Sequence, residues 1–158
     1  MRKIVFCLAV ALLVAGMLIG RSEALPGAIA HYIKIPELIG RDFNAAEGNG
    51  ILTINSSTSY GFDNVTNLSV VVDVSGPSVF GSTRRFVAHD DGVEGDMIAH
   101  DGIYTIKVAC RDVGRYQATS YATNDGKALA GGRLMPEKFE RMASVAFEVM
   151  NDPNTARQ

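Results

Sequence analysis

Cysteine is nearly absent from this chain, and the two residues present, Cys7 and Cys110, do not form a pair within one domain. Cys7 lies in an N-terminal apolar run that reads as a removable leader, so Cys110 is left alone and no internal disulfide can form. The mature fold must then rest on its hydrophobic core. Cys110, on the apolar side of a strand, is expected as a buried, inert thiol, with an intermolecular bridge as the alternative. A second apolar stretch long enough to span a membrane is also missing. So is any excess of positive charge. The whole chain has 15 basic and 17 acidic residues, and the first 24 residues hold Arg2, Lys3, Arg21 and Glu23. That leaves 12 basic against 16 acidic, a net charge of about −4, which gives no electrostatic reason to bind nucleic acid or anionic lipid.

Catalytic signatures are missing as well. The chain has no G-x-S-x-G, no S-x-x-K and no Cys with a convincing His partner. It has no H-E-x-x-H, no P-loop and no G-x-G-x-x-G after a strand. Ser57 and Ser59 sit in a Ser/Thr-rich segment read as a turn, without a local base. A non-catalytic protein is the expectation. A small hydrolase is the alternative, because a pair of facing carboxylates is set by the fold rather than by spacing.

What is present begins with the leader. Arg2 and Lys3 precede an uncharged run over residues 4–19, and Ser22-Glu23-Ala24 puts small residues at the two positions a signal peptidase inspects. Cleavage after Ala24 makes Leu25 the mature N-terminus. An uncleaved anchor is the alternative, but a spanning helix needs roughly 20 apolar residues and this run is shorter. Lipid attachment at Cys7 lacks a small-residue lipobox. The expected organisation is a signal peptide over 1–24, a lead-in with a candidate first strand over 25–49, one β-domain over 50–150 and a flexible tail over 151–158. The expected location is secreted or periplasmic.

Period-two alternation dominates after residue 50. Leu68, Val70, Val72 and Val74 point one way, as do Tyr104, Ile106, Val108 and Cys110. Tyr116, Ala118, Ser120 and Ala122 form a third run, and Val145, Phe147 and Val149 a fourth. Shorter candidates lie at residues 28–35, 50–55 and 84–89. Asp90-Asp91-Gly92, Asp101-Gly102 and Asn124-Asp125-Gly126 supply turn chemistry between runs, glycine for positive φ and Asx side chains for nearby amides. Short strands so punctuated indicate an all-β sandwich, with a barrel as the alternative. Residues 127–143 form a long insert, in which Pro136 at a first helical position predicts one or two helical turns over 136–142. The insert is a candidate binding loop or, in the hydrolase alternative, a lid.

The most specific segment is His89-Asp90-Asp91-Gly92-Val93-Glu94-Gly95-Asp96-Met97-Ile98-Ala99-His100-Asp101-Gly102-Ile103-Tyr104. Its D-D-G, G-D and D-G-x-Y elements resemble a loop of bacterial extracellular immunoglobulin-like and fibronectin-III-like domains. Gly114-Arg115-Tyr116 and Ala122-Thr123-Asn124-Asp125-Gly126 are similar to the next strand and turn of the same domains. The resemblance implies an immunoglobulin-like antiparallel β-sandwich of about seven strands, and a role as spacer, adhesion module or enzyme appendage.

Two chemistries suit the acidic loop. In one, the carboxylates accept backbone N–H bonds in tight turns. In the other, Asp90, Asp91, Asp96 and Asp101 converge on calcium, which takes six to eight oxygens. The spacing is not that of an EF-hand. His89 and His100 flank the loop, but eleven positions apart and without a Cys they read as turn histidines rather than zinc ligands. Three sequons, at Asn55, Asn64 and Asn67, read as polar turn composition. Tyr60 and Phe62, in a Gly/Asn/Ser-rich stretch, are candidate anchors for a sugar or protein partner, or caps on the core. The expected function is a non-catalytic binding or assembly module whose partner is a protein or a cell-envelope polysaccharide. A calcium-binding accessory protein is the runner-up, and calcium is the one cofactor the sequence suggests.

Overall fold

The computed structural model describes residues 28–46, 48–77 and 82–152. The signal peptide expected over residues 1–24 and the tail from residue 153 lie outside the described residues. Alternation becomes strand where one face can be buried, and the described residues form eleven strands. They are β1 (Ile29–Lys34), β2 (Asp42–Asn44), β3 (Ile51–Tyr60), β4 (Asp63–Thr66), β5 (Ser69–Ser75) and β6 (Arg84–Ala88). The chain continues with β7 (Ile103–Ala109), β8 (Gly114–Asn124), β9 (Leu129–Ala130), β10 (Arg133–Leu134) and β11 (Phe139–Met150). Seven of these have five residues or more. No α-helix forms among the described residues, so none is long and apolar enough to cross a membrane.

The strands make two sheets, which settles the choice between sandwich and barrel. One sheet runs β1-β3-β4-β9-β10, with β7 paired to β3 on the edge that β4 also uses. The other runs β2-β11-β8-β5-β6. Every pairing between named strands is antiparallel except β2 with β11. The lead-in therefore serves both sheets: β1 pairs with β3 across six positions, and β2 lies along the C-terminal end of β11.

The four sequence runs face inward as read. Val70, Val72 and Val74 of β5 and Ile106 and Val108 of β7 are buried, as are Tyr116, Ala118 and Ala122 of β8 and Phe147 and Val149 of β11. Each large aliphatic side chain so buried contributes about 1.5–3 kcal/mol. Phe147 and Tyr116 are register partners, and their rings stack with centroids 5.5 Å apart. Cys110 is fully buried, and burial pushes its thiol up to about 11.

Two local expectations fail. Residues 136–142 form no helical turn: Phe139 opens β11 and pairs with Asn124 of β8, so the ladder claims the segment before a helix can form. Ser57 and Ser59 lie within β3, not in a turn, because β3 runs from Ile51 to Tyr60 with β1 on one edge and β7 on the other.

Candidate functional site

Chain direction and register bring the functional candidates to one pole of the sandwich. β3, β6 and β8 end there and β5, β7 and β11 begin there, as the pairs Val70↔Ala88, Ser69↔Thr123 and Phe139↔Asn124 show. The β3–β4 turn, the acidic loop between β6 and β7, and the long connection from β8 to β11 all emerge at this end.

The acidic loop is closed at its base by a two-bond bridge between His89 and Thr105. Its carboxylates do structural work. Asp90 accepts the Asp101 N–H and the Gly102 N–H, both at 3.0 Å, one on each oxygen. Asp96, buried, accepts the Gly92 N–H at 2.7 Å and the Ile98 N–H at 3.4 Å. Asp91 and Asp101 each accept the N–H two residues on, at Val93 and Ile103. Burial holds the Asp90 carboxyl above the usual carboxylate range, although these amide donors pull the other way. Gly102 is required where it stands. Its φ is +81°, and a Cβ there would lie 2.8 Å from the Asn64 Cβ and 3.1 Å from the Val65 carbonyl oxygen.

Three of the four aspartates come together. One carboxylate oxygen from each of Asp90, Asp96 and Asp101 lies within 4.8 Å of the others, while Asp91 stands outside this group. Among the described residues no histidine joins them. His89 and His100 instead line a cavity of about 540 Å³ with Asp90, Asp91, Asp125 and Lys127 on its polar side and Leu68, Val70 and Val87 on its apolar side. The tip of the loop exposes Val93, Met97 and Ile98.

The connection from β8 to β11 is organised by a residue that the sequence reading treated only as a turn former. Asn124 is 1% exposed, and its amide makes five hydrogen bonds. Its Nδ2 donates to the Met135 and Glu137 carbonyls, and its Oδ1 accepts the N–H groups of Gly126, Lys127 and Ala128. The signal was available: an Asn ending an alternating run and followed by Asp-Gly is an Asx turn.

Tyr60 and Phe62 part company. Phe62 is fully exposed on the β3–β4 turn, where Gly61 has a φ of +64°. Tyr60 closes β3, packs against the core and lines a groove of about 680 Å³. Ile29, Leu134, Met135 and Pro136 supply the groove's other apolar walls, and Asp63, Arg133 and Glu137 its charges. No spacing rule could have found this groove, because its walls come from three separate stretches of chain.

Residues 55–145 match the sequence model of a family described as the conditioned medium factor second Ig-like domain. No curated protein matches the chain.

Proposed function

The chain belongs to the family of the conditioned medium factor second Ig-like domain, and on that footing we propose that it is a non-catalytic module for binding or assembly. It works outside the cytoplasm, secreted or periplasmic, after loss of the leader over residues 1–24. Its partner is a protein or a cell-envelope polysaccharide. The observation that carries this proposal is the groove beside Tyr60, with Phe62 projecting into solvent two residues further on. An amphipathic aromatic wall, apolar neighbours and a few charges are what a polar partner with apolar faces needs.

The test uses Phe62→Ala and Leu134→Ala, both at exposed positions, so the fold is left intact. Wild type and variants are measured for co-sedimentation with purified envelope polysaccharide and for capture of envelope proteins on immobilised module. A hot-spot contact gives a loss of about tenfold in one of the two assays. Equal retention of wild type and the double variant on both probes, or retention on neither, overturns the proposal.

A second reading, calcium held by the acidic loop, is favoured by the approach of Asp90, Asp96 and Asp101 to within 4.8 Å. Carboxylates so placed could supply part of a calcium shell, with backbone carbonyls and water completing it. Binding to the folded state alone would raise the melting temperature with calcium concentration. An identical melt in millimolar calcium and in excess chelator removes this reading and leaves the first untouched.

A further inference from the structure

Strand β1 is an edge strand with little apolar grip. None of its six residues is fully buried, and Ile29 and Ile33 are only partly so. What crosses from it to the other sheet is a histidine. The Nδ1 of His31 lies 2.9 Å from the Thr58 hydroxyl on β3, and its Nε2 lies 3.0 Å from the Ser120 hydroxyl on β8. The Ser56 hydroxyl of β3 stands 3.3 Å from the same Nε2 and 2.6 Å from the Ser120 hydroxyl. Ser56, Thr58 and Ser120 are wholly buried, so one imidazole joins β1 to both sheets through a closed polar cluster.

We propose that His31 is an acid-sensitive latch holding β1 on the sandwich. The surroundings of the ring decide the direction. Register places Leu52, Ile54, Ser56, Thr58 and Tyr60 of β3 on the inner side, and Tyr104, Ile106 and Val108 of β7. From β8 come Tyr116, Ala118, Ser120, Ala122 and Asn124, and from β11 Phe139, Arg141, Ala143, Val145, Phe147 and Val149. No carboxylate stands at any of these positions. The one charged side chain among them is Arg141, which lies exposed over the Phe139 ring, 5.6 Å from its centroid. A proton on His31 therefore meets hydroxyls but no anion. Burial holds the imidazole below its ordinary 6.5, only partly offset by backbone groups of Ser57 and Ser120. A group whose folded pKa is depressed contributes stability that is complete above the unfolded value and is lost as pH falls through the folded value. The latch is thus fully closed above about pH 6.5 and loosens as pH falls through the lower folded value.

Release frees the edge of β3 between Asn55 and Tyr60, the register that β1 covers. Because edge strands open locally at less cost than core strands, β1 should leave while β8 and β11 remain paired.

The experiment is amide hydrogen exchange on the full mature chain between pH 7.5 and pH 4.5, corrected for intrinsic exchange rates. Protection of the β1–β3 ladder is read against the β8–β11 ladder as an internal reference. The expected result is a loss of β1–β3 protection as the pH falls with the reference unchanged, and loss of that pH dependence in His31→Gln, which keeps hydrogen-bonding groups without titrating. Constant β1–β3 protection across the range, or pH dependence retained in His31→Gln, overturns the proposal. Should His31→Gln fail to fold, the wild-type imidazole is titrated by NMR. A midpoint shared with the β1 amides supports the latch, and separate midpoints refute it.

Discussion

Replacing Asn124 is the sharpest test of how the pole that carries the groove and the acidic loop is held. The side chain is buried and makes five hydrogen bonds, so Asn124→Ala strands two carbonyls and three amides at once. At about 1 kcal/mol for each ordinary hydrogen bond the upper figure is about 5 kcal/mol. Water can reach part of the connection, since Asp125 and Lys127 are exposed, which brings the expectation to about 3 kcal/mol. Urea denaturation should report this as a lower midpoint with an unchanged slope. Asn124→Asp separates the donor half from the acceptor half. Its carboxylate keeps the three amide donors but turns an oxygen toward the Met135 and Glu137 carbonyls, where Nδ2 now donates at 2.9 and 2.7 Å. Repulsion and burial raise the pKa of the new carboxyl. Its contribution is then fully present below the unfolded value of about 3.9 and is lost as pH rises through the folded value. Asn124→Asp should accordingly regain roughly 1 kcal/mol relative to wild type between pH 7 and pH 4.5, and Asn124→Ala should regain nothing. A loss below about 1 kcal/mol in Asn124→Ala, or an Asn124→Asp variant without pH-dependent recovery, refutes the role given to this amide.

The remaining expectations concern single positions. Cys110, with its thiol up to about 11 and no exposed surface, should react with a thiol reagent at neutral pH only as fast as the chain unfolds; prompt native-state labelling would contradict its burial. Gly102→Ala should cost about 2–3 kcal/mol in denaturant titration, because positive φ and a backbone clash coincide there, and a neutral result would show that the base of the acidic loop yields easily. Ser56→Cys with Ser120→Cys should form a disulfide on oxidation, since the two hydroxyls already stand 2.6 Å apart. Closing so long a loop should add about 2–4 kcal/mol, and a thiol assay that finds the pair reduced after oxidation would show the backbones too far apart.

The parts of the fold that were legible in the sequence are those where apolar and polar residues alternate. Val70, Val72 and Val74 announce β5, and Tyr104, Ile106 and Val108 announce β7, because one face is oily and the other is not. The pattern vanishes where inward positions are polar. Ser56 and Thr58 point into the sandwich, so the second half of β3 reads as a Ser/Thr turn although it is a central strand. β11 was cut short for a related reason: Pro136 and the charged residues after it carry a local helix signal, and only the ladder with β8 outweighs it. Among site residues, the acidic loop was legible because its Asp and Gly spacing is local chemistry. The groove was not, since Ile29, Tyr60 and Leu134 are far apart in the chain and meet only once β1, β3 and β10 are assembled into one sheet.

Antibody domains tie their two sheets with a disulfide between strands that correspond to β3, beside the edge strand β1, and β8, between β5 and the last strand β11. Here the same two strands are joined by the Ser56–Ser120 hydroxyl pair, with His31 as a third member. Such a cluster costs stability unless every polar atom in it is paired, and among the described residues no buried side-chain nitrogen or oxygen lacks a partner. Each bond contributes about 1 kcal/mol, against about 2–4 kcal/mol for a disulfide. The tie is therefore weaker than the covalent one, but its 2.6 Å contact still marks which residues of the two sheets face each other. It also answers to a different variable. A disulfide responds to the redox state of its compartment, whereas a histidine among hydroxyls responds to pH, so pH is the lever that acts on this inter-sheet tie.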